Sequence, residues 1–423
     1  MGLIIKNGKV FYKGALVDKD IFIEDGKIVE KCSGEAFDAS GLVVLPGMID
    51  CHVHFREPGA TQKEDFLTGS RAAAKGGVTT IIDMPNNNPP TTTSAALEQK
   101  RQLAKKSIVN YGFYFGATSD NIAEINTAKN VAGVKVYMGA STGSLLVTDD
   151  AALHRIFLCG RLVTVHAEDE AMIKKNEEKY RNEHNPEVHC KIRNNEVAAS
   201  AVKKAIEIAK AHNTRLHIAH VSTKEELALI AGAKNVTCET TPHHLFLTSA
   251  AMKKMGNFAK MNPPLRSEGD VAALWKAIND GTITCIATDH APHLPSEKQQ
   301  DYWKAPSGVP GVETMLPLMM NAVNERKISL QQLVKLCSEN PAKLMGLERK
   351  GSIEEGFDAD LVIVDLKKEE TIKNSDIASK CRWTPFDGMK VRGRVIATVV
   401  NGEIAYNRGS FFESKGREVQ YGS

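Results

Sequence analysis

With 423 residues, 42% of them hydrophobic and 25% charged, the chain is long enough for two or three domains, or for one large barrel with an appendage. Its 32 glycines and 16 prolines are ordinary, which excludes collagen-like and disordered classes, and a net charge of +3 without a basic stripe argues against a nucleic-acid partner. The eight cysteines stand singly, with no Cys-x-x-Cys, and no apolar run reaches the roughly 18 residues of a membrane span. Reduced, mostly buried thiols and a start without a signal-peptide core predict a cytoplasmic protein that does not enter a membrane.

Short β-rich runs open the chain at 3–5, 9–12, 20–24 and 27–31, the last two around an Asp25-Gly26 hairpin turn. Apolar strands then alternate with helical stretches. Eight strand candidates, at 48–54, 78–84, 109–117, 134–138, 162–167, 216–221, 236–240 and 284–289, predict a closed (β/α)8 TIM barrel. Helices are expected at 64–75, 95–105, 195–211 and 313–323. The far end returns to strands at 359–364, 395–400 and 403–406, with Asn401-Gly402 as a second hairpin dipeptide. The expected fold class is α/β: a barrel domain over 47–345, and a small β-sandwich domain formed by both ends, 1–46 plus 346–423.

Chemistry concentrates at the strand ends. His52 and His54, two apart on the first strand, point the same way and can share a metal. Such a pair is weak alone, since 13 histidines in 423 residues give about 0.4 by chance. Lys135, His166, His220 and Asp289 lie at the corresponding ends of strands four, five, six and eight, which a barrel brings together. Each has an ordinary reading, as an ion pair, a carbonyl cap or a turn starter. A core does not place costly polar groups at five convergent positions unless they are paired or metal-bound.

Longer stretches make the pattern specific: Asp50-Cys51-His52-Val53-His54-Phe55-Arg56-Glu57-Pro58-Gly59, Met84-Pro85-Asn86-Asn87-Asn88-Pro89, and Ala287-Thr288-Asp289-His290-Ala291-Pro292-His293 with Lys298 beyond. With Gly133–Tyr137, His166-Ala167-Glu168, Thr241-Pro242-His243-His244 and Asn262-Pro263-Pro264, the chain resembles the dihydroorotases of the amidohydrolase superfamily over nearly its whole length.

The resemblance implies two zinc ions, one on His52, His54 and Asp289 and the other on His166 and His220, bridged by a carboxylated Lys135. An aspartate bridge is the alternative, and Asp149 of the Asp149-Asp150 pair is its candidate, although that pair reads as a helix N-terminus. The chemistry is coherent, because a carbamate offers two hard oxygens and a buried lysine is more readily neutral and able to react with CO2. His217 and His220, three apart, are expected on opposite strand faces, and the family position favours His220. His243 and His244 read as loop-shaping residues, and His154, His184, His189 and His212 as solvated or capping ones.

The implied reaction is reversible ring closure of N-carbamoyl-L-aspartate to L-dihydroorotate in pyrimidine synthesis. Asp289 is the implied general acid and base, protonated at the start of ring closure, which makes the direction of flux pH-dependent. Arg56, Asn86 and His293 are nominated for the substrate carboxylate; the ordinary reading of Arg56 is a surface ion pair with Glu57 or Glu64. Asn262 and the Gly308–Gly311 backbone are nominated for the ring. Residues 139–144 are either a lid, in which Ser141 or Thr142 donates to substrate, or a plain turn. A small-molecule substrate is expected, with aspartate carbamoyltransferase as a candidate protein partner. The rival readings are an allantoinase or hydantoinase without the carboxylate clamp, and a catalytically silent scaffold.

Overall fold

The computed structural model describes residues 2–140 and 145–422. All eight predicted barrel strands are present: Met48–Val53, Val78–Asp83, a third strand in two pieces (Asn110–Phe113 and Phe115–Gly116), Val134–Tyr137, Val163–His166, Leu216–Ile218, Val236–Thr240 and Cys285–Ile286. Neighbours pair in parallel. The third strand divides at Tyr114, whose N–H donates to Asp83 while the next N–H donates to Gly133, so the strand changes partner there. A parallel bridge between Val53 and His290 joins strand eight to strand one. Most of these strands are buried along their whole length, as expected where helices cover a barrel.

The predicted helices form at Phe66–Lys75, Ser94–Ala104, Asn195–His212 and Met315–Asn324. Asp65 starts the first of these through a reciprocal capping box with Thr68. That helix then packs directly under the turn after strand one: a Cβ on Gly69 would sit 2.8 Å from the Phe55 ring, so only glycine allows this approach. On the other side of the turn, Asp83 accepts the Phe55 N–H and pairs with the fully buried Lys100, which also donates to Met84 O and Asn87 Oδ1. An unpaired charge there would cost several kcal/mol, so the pair ties the 84–88 loop to the barrel.

The chain ends build two further sheets. One is four-stranded, in the order Lys27–Val29, Ile21–Glu24, Gly2–Lys6, Gly34–Asp38; the other is seven-stranded and joins the N-terminal strands Lys9–Tyr12 and Val43–Pro46 to the C-terminal strands Leu361–Thr371 and Lys390–Val400 through the Val43–Pro46 and Leu361–Thr371 pair. Leu3, Ile5, Ile21, Val44, Leu361, Ile363, Ala397 and Val399 form their common core. Both hairpin dipeptides have positive φ at both residues (51° and 77° at Asp25-Gly26, 50° and 81° at Asn401-Gly402), as a type I′ turn requires. Two largely exposed strands, Ala15–Asp18 and Gly34–Asp38, were not among the predicted runs; pairing with a buried neighbour, not their own apolar pattern, makes them strands.

Two segments from the C-terminal third lie on the barrel. After Leu361–Thr371 the chain crosses to its mouth, where Ser379 donates to Glu64, Lys380 pairs with Asp65, and the Trp383 indole donates to His293 O at 2.7 Å. The tail joins strand three through Val419 N to Tyr111 O, and the helix Ser94–Ala104 through the Arg101–Glu418 pair. Among the described residues, no helix is long and apolar enough to cross a membrane.

Candidate active site and metal centre

At the C-terminal end of the barrel four imidazoles form a continuous row: His54 to His52 (ring centroids 5.3 Å apart), His52 to His220 (5.4 Å) and His220 to His166 (4.7 Å). Asp289 Oδ1 lies 3.3 Å from His52 Nε2 and 3.0 Å from His54 Nε2, while His166 Nδ1 faces His220 Nε2 at 2.9 Å. The donors thus gather as two sets, His52/His54/Asp289 and His166/His220, and all of these residues are buried. Lys135 enters from strand four with no hydrogen-bond partner for its Nζ among the described residues, 5.4 Å from the Tyr137 ring centre.

Three of the imidazoles have their outer nitrogens held. Glu239 accepts from His52 Nδ1, Asn86 Oδ1 lies 2.6 Å from His54 Nδ1, and Glu168 Oε2 lies 3.0 Å from His166 Nε2. Such outer partners fix tautomer and ring direction and turn the opposite nitrogen inward. Burial lowers His54 to about 4, against the pull of Asp289, and also lowers His166 and His220, so these imidazoles are neutral at pH 7. Burial likewise lowers Lys135 to about 8, with Glu239 and Asp289 opposing it. Asp289 would be raised by burial, but His52 and His54 hold it well below the usual carboxylate range.

Neutral imidazoles, an ionised carboxylate and an orphaned lysine amine fit a divalent cation of borderline softness, and support a metal cofactor. Three residues of the site also have left-handed backbone. Arg56, His220 and Asp289 have φ of 63°, 39° and 47°. For non-glycine residues this costs about 1–3 kcal/mol each, and it persists where surrounding contacts over-determine the backbone.

Asp149 is not at this centre. It is exposed and caps the helix Asp150–Phe157 by accepting from Ala152 N at 2.7 Å, so the alternative bridge is set aside on geometry. The expected opposite facing of His217 and His220 is also corrected: the strand ends at Ile218, and the positive φ at His220 turns the chain. Both residues therefore meet Glu239, through His217 Nε2 at 3.1 Å and His220 N at 3.4 Å. His189 is not solvated; it is buried, with Nδ1 3.0 Å from the Tyr302 hydroxyl and Nε2 2.9 Å from both the Met261 carbonyl and Asn262 Oδ1. His154 and His212 pair with each other at 2.7 Å on the surface, and His184 pairs with Asp301.

Arg56 is buried, and neither Glu57 nor Glu64 pairs with it: Glu57 pairs with Lys106, and Glu64 accepts from Thr68 and Ser379. Its guanidinium donates to Pro292 O (3.2 Å) and lies 3.1 Å from His293 Nε2. Asn262 is half-buried, and its Oδ1 is 2.9 Å from His189 Nε2. The Gly308–Gly311 loop differs from expectation because its glycine groups are already committed: Gly308 N donates to Lys260 O, Gly308 O accepts from Lys298 Nζ, and Gly311 N donates to His290 Nδ1. Ser141 and Thr142, named for the lid, lie outside the described residues.

Glu239, and Arg193 paired with Glu168, were not singled out from sequence. A charged residue within strand seven, Val236–Thr240, was a usable signal for the first; Arg193 reaches the site from a distant loop and offered none. Glu239 binds two imidazoles and a backbone N–H at once. Glu239→Gln, which cannot accept from all three, is expected to weaken metal retention about 10- to 100-fold. Competition with a chelator on the folded variant measures this, and unaltered retention would remove the role.

The amidohydrolase family model matches residues 43–405. A dihydroorotase of Methanosarcina acetivorans is 42% identical over 98% of this chain and 96% of its own length, and one of Halobacterium salinarum is 40% identical over 96% and 99%. Among solved structures, the L-hydantoinase from Arthrobacter aurescens superposes with a TM-score of 0.95 at 31% identity over 99% of each chain, and a dihydropyrimidinase from Brevibacillus agri with 0.93 at 28% over all of both. Barrel, terminal sandwich and clustered metal donors are thus accompanied by full-length sequence similarity, and the chain belongs to the amidohydrolase family, among its dihydroorotases.

Proposed function

We propose that this chain catalyses the reversible ring closure of N-carbamoyl-L-aspartate to L-dihydroorotate, the dihydroorotase step of pyrimidine biosynthesis. The observation that carries the choice of substrate is the buried Arg56, two residues beyond His54 and beside His293, with no carboxylate paired to it among the described residues. A hydantoinase shares the fold, yet a neutral ring gives a buried guanidinium nothing to pair with. The higher identity to dihydroorotases than to the hydantoinase structures supports the same reading.

Two zinc ions, held by His52, His54 and Asp289 and by His166 and His220 with a carboxylated Lys135 between them, would supply a hydroxide at neutral pH and polarise the amide carbonyl. Arg56 and His293 hold the carboxylate, with Asn86 beside them. In hydrolysis Asp289 takes the proton of the attacking oxygen and delivers it to the ring nitrogen. In ring closure it takes the ureido N–H proton and delivers it to the departing oxygen, so Asp289 begins both directions as a carboxylate. This replaces the expectation that it starts ring closure protonated. The proton consumed by the net reaction, dianion plus H+ to monoanion plus water, shifts the equilibrium about tenfold per pH unit whatever Asp289 does. The rate profile, not the direction of flux, therefore reports on Asp289.

We assign the chemistry to a barrel domain over 47–345, and a sandwich role to 1–46 with 346–423, apart from the stretches of the latter that lie on the barrel. Free cysteines support a cytoplasmic setting. Aspartate carbamoyltransferase, which makes the acyclic substrate, is the protein partner this reading names. Turnover of L-dihydroorotate, allantoin, hydantoin and dihydrouracil by the metal-loaded protein tests the function. Selective action on dihydroorotate is expected; preference for a neutral ring would move the protein to the hydantoinases, and silence on all four with metal bound would favour a scaffold.

A further inference from the structure

His293 is enclosed on every side. Its Nε2 lies 3.1 Å from both Ser307 O and Arg56 Nη2, its carbonyl accepts from Trp383, and its Nδ1 lies 3.1 Å from the Nζ of Lys63. Lys63 is ion-paired with Glu297 at 2.8 Å, and Glu297 is anchored by accepting the Leu294 N–H at 2.9 Å. An ammonium can only donate, so Nδ1 must accept and the single imidazole proton must sit on Nε2. The Nε2–H then points at Ser307 O. Arg56 Nη2 therefore meets no imidazole lone pair, and its N–H is left for an incoming anion. With the proton on Nδ1 instead, Lys63 would meet N–H against N–H, and Arg56 would spend its donor on the imidazole.

We propose that Lys63, held by Glu297, is a positioning residue that sets the His293 tautomer and thereby keeps the Arg56 guanidinium free for the substrate carboxylate. It touches no reacting atom, so its effect belongs in substrate binding and in selectivity for a charged ring. The inference rests on the ring-closure reading for the identity of the anion, but not for the tautomer.

The test combines two readouts on the metal-loaded protein. Nitrogen-15 spectra of labelled histidine, with His293 assigned by its loss in His293→Asn, are expected to show the proton on Nε2 in the wild type and on Nδ1 or divided between the two in Lys63→Met. In kinetics, Lys63→Met is expected to raise KM for L-dihydroorotate about tenfold with kcat within about twofold, leaving the neutral carboxamide of the same ring unaffected. Glu297→Gln, which loosens Lys63 without removing it, should shift KM in the same direction by less, and it serves if Lys63→Met fails to fold. A wild-type proton on Nδ1, or an unaltered tautomer and KM in Lys63→Met, overturns the proposal, as does an equal loss of kcat on acid and carboxamide. If the wild type does not turn over dihydroorotate, the ring-closure reading fails while the spectra still decide the role of Lys63.

Discussion

Lys135→Met is expected to lose at least about 10²- to 10³-fold in turnover while the barrel stays folded. Methionine has nearly the length of lysine and suits a site with no hydrogen-bond partner for Nζ. The folded core therefore loses no contact that its stability depends on. What it loses is an amine that burial brings down to about 8, where an appreciable neutral fraction can bond to CO2 and release a proton. A carbamate formed there would offer two oxygens to metal held by the His52/His54/Asp289 and His166/His220 sets. Two measurements accompany the rate. The intact wild-type chain, kept out of acid, should be heavier by one CO2 than its sequence, and the variant should retain fewer metal ions. Full activity in Lys135→Met would exclude Lys135 as the bridge.

Arg56→Ala is expected to raise KM for L-dihydroorotate by about 30- to several thousand-fold, the consequence of removing one partner from a buried, hydrogen-bonded charge pair worth about 2–5 kcal/mol. The guanidinium is buried, and its left-handed backbone aims it across the mouth toward Pro292 and His293. Arg56→Lys should recover only part of the loss, because an ammonium lacks the planar fork. The carboxamide of the same ring should be turned over by Arg56→Ala about as well as by the wild type. A comparable loss on acid and carboxamide would mean that Arg56 supports the turn after strand one and does not read the carboxylate. The effect exceeds that expected at Lys63 because Arg56 carries the charge, whereas Lys63 only orients the imidazole beside it.

The strands were legible because a parallel barrel buries both faces, which leaves runs rich in β-branched residues such as Val78–Asp83 and Val163–His166. Helix ends were legible where a capping residue marks them, as at Asp65. Edge strands such as Gly34–Asp38 were not, since they are exposed and owe their form to Gly2–Lys6 alongside. Nor was the crossing that brings Trp383 to His293, because no local pattern encodes a contact over 90 residues.

By itself, then, the sequence determined which chemistry stands at the barrel mouth: strand periodicity sends alternate side chains to one side, and His52, His54, Lys135, His166 and Asp289 occupy strand ends that must converge once the barrel closes. Tertiary structure decided what each group is used for. It alone set Asp149 on the surface and Lys135 in the interior, brought His217 and His220 to one carboxylate, engaged the Gly308 backbone with lysines, and placed Lys63 and Arg56 on opposite nitrogens of His293. Those outcomes depend on burial and on partners far apart in the chain, and only the folded arrangement of charges and donors selects among them.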